Sequence, residues 1–278
     1  MIAVTAEQLP GDPAPKAGIS VTGLGIGSSL VNVWRIADGK RKPVRGARRI
    51  TMNDASFVTD WDVPTNRSVV YEVEVLSGPG GPARATAESL VVEAASSWLM
   101  DPFVPQTAMP ILGQRKQNGD VYLRGPALSA LEYSADTSIF NIMGDNEPIG
   151  LFGQRMAEKG LDLSMGTRSA EENKRLKNLL LSTSSFLFRP GPELAGVELE
   201  GSMFILNPTA VQVPIDTLWG GEITWWDFKA DTVKAPTLKV LTATFTYGDV
   251  KIMFTTYGQK QAAMAGRTYL DDLKNPLG

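Results

Sequence analysis

The sequence predicts a mainly β protein: a β-sandwich followed by an α+β split barrel with one covering helix, and then a short helical C-terminal arm. Three observations carry this reading. Apolar residues alternate with polar ones in short runs, as in Tyr71, Val73 and Val75 against Glu72 and Glu74. The 278 residues include 27 glycines and 18 prolines, about 16% against a usual ~12%, which fits a turn-rich fold. Only one stretch carries a well-signalled helix, residues 170 to 181.

Composition also narrows the function. There is no cysteine and no histidine. Disulfides, thiolate or imidazole metal sites and Ser-His-Asp or Cys-His catalysis are therefore excluded. Net charge is −3, which leaves no basic surplus for a phosphate backbone, so specific nucleic-acid binding is not expected. No run approaches the ~18 apolar residues of a membrane span. Residues 1 to 15 carry no Lys or Arg and three prolines, which does not read as a secretory signal. A soluble chain made in the cytoplasm, with no cofactor, is the expectation.

Within residues 1–97, Ile19 to Val21 and Leu30 to Ile36 read as strands separated by glycines 23, 25 and 27. Asp38-Gly39-Lys40 closes the second strand with a turn. The strand at Tyr71 to Val75 ends in Ser77-Gly78-Pro79-Gly80-Gly81-Pro82, and residues 85 to 92 resume an extended pattern. Val63-Pro64-Thr65 leading into Tyr71-Glu72-Val73-Glu74-Val75 resembles the penultimate strand of fibronectin type III domains. That resemblance covers residues 17 to 95. It implies a corner hydrogen bond from Tyr71 and a core position for Trp34.

Residues 98–112 contain Trp98-Leu99-Met100-Asp101-Pro102-Phe103-Val104-Pro105 and then Pro110. They read as a stiff linker whose Trp98 and Phe103 dock on a neighbour. Residues 113–235 follow, with strands expected at Val121 to Arg124, Ile139 to Met143 and Leu161 to Met165. Ser169 caps the helix and Glu172 completes a capping box. Glu171 and Arg175 stand at i,i+4, and Leu176, Leu179 and Leu180 form its apolar stripe. Phe186 to Phe188, Met203 to Leu206 and Glu222 to Phe228 are further strands.

The order Gly153-Gln154-Arg155, Leu161-Asp162-Leu163, Thr167-Arg168-Ser169, Leu179-Leu180-Leu181-Ser182 and Phe186-Leu187-Phe188-Arg189-Pro190 resembles the split barrel of distal tail and other minor tail proteins of long-tailed actinobacteriophages. The 98–102 segment resembles their inter-domain linker. The resemblance covers residues 96 to 235. It implies a structural virion component of the tail tip, an adaptor between the tail tube and the hub or receptor-binding proteins. Its implied partners are other tail proteins and further copies of itself, in a ring or trimer. Residues 236–278 repeat Thr246-Tyr247-Gly248-Asp249, Thr256-Tyr257-Gly258 and Thr268-Tyr269-Leu270-Asp271. Thr at the cap with Asp at N3 predicts short helical pieces, of a kind that also ends proteins of that group.

No catalytic residue, cofactor or metal ligand is expected. Asp60 and Asp62 flank Trp61 in a glycosidase-like pair, but alternation puts the carboxylates on a solvated face and the tryptophan in a core. Asp60, Asp62 and Asn66, like Asp145-Asn146-Glu147, are too few for a calcium loop. Gly23-Leu24-Gly25-Ile26-Gly27 reads as a turn rather than a dinucleotide fingerprint. Lys40-Arg41-Lys42 with Arg45, Arg48 and Arg49 reads as a solvated basic loop. Trp225 and Trp226, near Trp219, face opposite sides of one strand, so one of them is exposed or covered by a partner. The interface candidates are Trp98, Phe103, Trp225, Trp226, Tyr247, Tyr257 and Tyr269. A carbohydrate-binding module for host cell-wall glycans, using Trp61, Trp225 or Trp226, is the alternative.

Overall fold

A computed structural model describes the chain except residues 1, 113–120, 126, 136, 144–145, 156–157, 216, 238–249, 252, 269–270 and 273–278. It is mainly β, with one long helix, and divides into two compact units. The first comprises Met1–Ala95, Pro102–Ala108 and Pro236–Gly278; the second comprises Ser96–Asp101 and Met109–Ala235.

The first unit is a sandwich of antiparallel sheets. Its strands are β1 (Ala3–Leu9), β2 (Lys16–Thr22), β3 (Ser29–Ala37), β4 (Lys40–Pro43), β5 (Ile50–Met52), β6 (Ser56–Asp60), β7 (Ser68–Ser77), β8 (Ala83–Thr86) and β9 (Leu90–Val91). One sheet has the order β1-β2-β6 and the other β4-β3-β7-β8, with β5 and β9 on its margins. Val4, Ile19 and Val21 of the first sheet pack with Val31, Val33, Val69, Tyr71, Val73 and Val75 of the second in one buried cluster. Alternation therefore sorts β7 as the sequence requires. The β3–β4 hairpin turns on Asp38 and Gly39, both at positive φ (50° and 70°), the conformation that matches strand twist in a two-residue turn.

The second unit is a curled sheet. Its strands are β10 (Ser97–Met100), β11 (Met109–Ile111), β12 (Tyr122–Leu123), β13 (Ser138–Phe140), β14 (Ile149–Leu151), β15 (Leu161–Asp162), β16 (Met165–Thr167), β17 (Ser185–Arg189), β18 (Met203–Leu206), β19 (Ala210–Pro214) and β20 (Thr224–Val233). The order β11-β10-β17-β18-β20-β16-β12 bends until its ends meet. There Leu112 N donates to Val121 O (2.8 Å) and Leu123 N to Leu112 O (3.2 Å). The long strand β20 carries β18 and β19 as partners along one edge and β15 and β16 along the other. Its residues alternate strictly: Thr224, Trp226, Phe228 and Ala230 are buried, while Trp225, Asp227, Lys229 and Asp231 are exposed.

Helix α1 (Ala170–Ser182) adds Leu176 and Leu179 to a core of Leu99, Ile111, Leu161, Leu163, Met165, Phe186, Phe188, Ile205 and Phe228. Phe186 meets Phe228 edge-on, with centroids 5.4 Å apart. Ser169 Oγ accepts from Glu172 N at 3.2 Å, and Glu171 and Glu172 favour the positive helix end.

Some local expectations are corrected. The reading of 98–112 as an extended linker fails where Ser97–Met100 pairs with both β11 and β17; prolines 102 and 105 begin only after that strand has ended. Arg175 pairs with Glu172 at i,i+3 (3.6 Å), not with Glu171. Trp34 does not fill the sandwich core. It is half-buried on the outer side of β3, its Nε1 donating to Glu74 Oε2 at 3.0 Å beneath the Arg41 guanidinium.

Candidate functional site

Two places concentrate the chemistry that the sequence singled out. The first is Asp60, at the end of β6. Its carboxylate is 1% exposed, and such a charge survives burial only when its lone pairs are filled. Arg35 Nη1 donates to Oδ2 at 2.8 Å and to Oδ1 at 3.0 Å, the Tyr71 hydroxyl donates to Oδ2 at 2.9 Å, and Asp62 N donates to Oδ1 at 3.0 Å. Asp62 is buried too, and the Arg45 guanidinium grips it with Nε at 2.8 Å and Nη2 at 2.6 Å.

The expected solvated acidic face is thus an internal ion-pair network, and Arg45 leaves the solvated basic loop to join it. Tyr71 hydrogen-bonds a side chain here, where the fibronectin resemblance implied a corner bond. Burial, then the Asp60 charge, pushes the Tyr71 hydroxyl well above its usual range. Burial works against the Arg35 charge, yet the Asp60 and Asp62 carboxylates outweigh it and raise its pKa. Trp61 is buried outside the apolar cluster, with the Lys16 ammonium 4.8 Å from its ring centre. Both carboxylates are buried, and each is already engaged by a guanidinium.

The second place is the outside of the curled sheet. The strict alternation of β20 separates its two tryptophans. Trp226 turns inward, 5% exposed, and donates from Nε1 to Asn173 Oδ1 of α1 at 2.9 Å. Trp225 turns outward, 37% exposed, with the Arg124 guanidinium 4.1 Å over its ring and Arg124 Nη1 bonded to Asp227 Oδ1 at 2.7 Å. Val213 stands opposite Trp225 on β19 and is exposed, as is Val211.

Sequence reasoning placed a strand at Ile139 to Met143, which overlaps β13, but missed that it pairs into an exposed arm. Bridges Glu132–Lys159 and Ala135–Arg155 lead into the β13–β14 ladder, forming one long antiparallel arm. Phe140, Ile149 and Leu151 share one face, while Ile139 lies on the other, where the Phe152 ring approaches Gly150. Ile139, Phe140, Ile142, Met143, Ile149, Leu151 and Phe152 are all exposed, Met143 and Phe152 almost fully. The available signal was two apolar clusters, Ile139 to Met143 and Ile149 to Phe152, with no polar face alternating regularly against them. Such clusters fit strands that are covered on both sides.

The remaining candidates are dispersed. Trp98 is half-buried on β10, and its indole N–H is buried with no hydrogen-bond partner. Phe103 is half-buried, with the Arg45 guanidinium 5.8 Å from its ring. Tyr257 is exposed on helix α2 (Tyr257–Ala263), where Thr256 and Gln259 form a reciprocal capping box. Thr268 and Asp271 bond one another's backbone N–H groups in the same manner. Tyr247, Tyr269, Asp145 and the side chain of Trp219 lie outside the described residues.

Among the described residues no three His, Cys, Asp or Glu side chains converge as a metal site. No helix is long and apolar enough to cross a membrane. The fold and these surfaces define a two-unit, mainly β protein with a protruding apolar arm. Comparison with protein-family models, with curated proteins and with solved structures finds no match.

Proposed function

We propose that this chain is a structural virion component of a bacteriophage tail tip, an adaptor between the tail tube and the hub or receptor-binding proteins. Its second unit makes ring-forming contacts with further copies, and the sandwich serves as an attachment module. The chain is made in the host cytoplasm, becomes part of the virion and is not an enzyme.

The observation that carries this reading is the arm. At ~150–250 Å² for a whole aromatic side chain and less for an aliphatic one, its exposures leave on the order of 800–900 Å² of apolar surface uncovered. Summed over both faces of the ribbon, that area is comparable to the ~800 Å² that one partner contributes to a stable interface. A surface of that size on a rigid ribbon belongs inside an assembly. The motif order from Gly153-Gln154-Arg155 to Phe186-Leu187-Phe188-Arg189-Pro190 supports the class of assembly, and the curled sheet with one helix is the fold it implies.

Proteomics of purified tails with immunogold labelling tests the proposal. The chain is expected at the tail tip in a fixed copy number. Its absence from particles that assemble and infect normally would refute the adaptor role. The glycan-binding alternative retains Trp225 alone, because Trp61 and Trp226 are buried; strong signals on a glycan array that vanish in Trp225→Ala would favour it.

A further inference from the structure

We infer that the apolar arm of one copy docks along the open edge of β19 in the next copy. This rests on the ring-forming reading above and names the surface that receives the arm. Strand β19 pairs with β20 on one side, and no strand among the described residues pairs with its other side. Ile215 N donates to Ile223 O, which fixes the ladder phase. Residues 211, 213 and 215 turn their polar backbone groups toward β20, and Ala210 and Gln212 turn theirs away from it. Residues 210 to 213 carry no charge and present none of the lysines that commonly protect an edge; Pro214 alone blunts its end. Beside that edge lie exposed Leu206, Val211, Val213, Leu218 and Ile223.

The unit thus holds an apolar ribbon and, elsewhere, an apolar surface beside unpaired strand groups. Strand addition satisfies the backbone of both while covering one apolar face of the ribbon. Because arm and edge are different surfaces, their contact is head-to-tail. Head-to-tail contacts close into rings when the rotation permits, whereas arm-to-arm contact would stop at a two-fold dimer. A bilayer is the poorer occupant. The arm's turn carries an exposed Glu147, which an anionic surface repels and a hydrocarbon interior excludes.

The absence of cysteine makes the test clean. Two full-length single-cysteine chains of different tag length, Met143→Cys or Phe152→Cys on the arm and Val211→Cys or Val213→Cys on the edge, are mixed and treated with a bismaleimide. Mass photometry of the untreated chain runs alongside. Oligomers with a predominant arm-to-edge product are expected, and Val213→Glu or Phe152→Glu should abolish both without shifting the melting temperature. Oligomers that give only arm-to-arm product, or none, overturn the docking site while leaving the assembly reading intact. A chain that stays monomeric and uncross-linked at every concentration overturns both the docking site and self-assembly.

Discussion

The two units dispose of their polar and apolar groups in opposite ways. The sandwich takes charges inside. Asp60, Asp62, Arg35 and Tyr71 are buried and bonded to one another, while the outer face of β3 and β7 is laced by Trp34, Arg41, Glu72 and Glu74. The second unit also buries charged side chains, Arg189 completely, but it gathers its helix and strands round a large apolar cluster and leaves apolar residues outside, on the arm and beside β19. A domain that satisfies its own buried charges needs no neighbour to complete it. A domain that leaves a two-sided apolar ribbon in water does. On the adaptor reading proposed above, that difference assigns attachment to the first unit and assembly to the second.

The comparison breaks first at Asp60. Replacing it by Ala leaves the Arg35 guanidinium and the Tyr71 hydroxyl buried without their acceptor, and losing one member of a buried pair costs about 3–5 kcal/mol. Urea denaturation followed by circular dichroism should show the sandwich transition shifted to much lower urea. The double variant Arg35→Met with Asp60→Leu should recover most of the loss, because the uncompensated charge is gone. An unshifted Asp60→Ala transition would mean that the network is an ornament.

A smaller effect is expected in the barrel, where polar groups matter chiefly at the ends of elements. Ser169→Ala removes the acceptor for Glu172 N and should cost ~0.5–2 kcal/mol. Differential scanning calorimetry checks it, and an unchanged barrel transition would show that α1 does not depend on its cap.

The smallest effect concerns Glu74 on the sandwich's outer face. Hydrogen bonds from Asn32, Trp34 and Arg84 hold its pKa down to about 2, from an ordinary value of 4.5. A depressed carboxylate pKa contributes stability that is fully present above pH 4.5 and is lost as pH falls from there through about 2. Melting curves of the parent chain and Glu74→Gln should therefore converge across that window. Curves that stay parallel down to pH 2 would dissociate Glu74 from acid sensitivity.

Legibility in the sequence followed the range of the interaction. Period-two alternation placed the inward residues of β7, and adjacent Trp225 and Trp226 had to part because successive strand residues face opposite sides. The Ser169 cap was legible because its partner is three residues away. Asp60 was misread because its partners, Arg35 and Tyr71, stand 25 and 11 residues away in sequence, and nothing local distinguishes a buried aspartate from a solvated one. Trp34 was placed inside on the strength of a resemblance, whereas the Glu74 carboxylate and the Arg41 cation hold it on the outer face. The arm escaped notice because its short strand pattern looked like any covered strand, and exposure is a property of what is missing around it.

The meeting of the sheet's ends at Leu112 has a consequence for how the barrel breathes. Neighbouring strands there are joined by multi-residue ladders, but among the described residues the closure is one bridge, Leu112 with Tyr122, held by two backbone bonds. Local opening is cheapest where the fewest bonds must break together. Among the hydrogen-bonded amides of the barrel wall, those of Leu112 and Leu123 are therefore expected to exchange first with solvent. The cylinder gives way along that line while its remaining staves stay joined, so the wall can flex without unfolding.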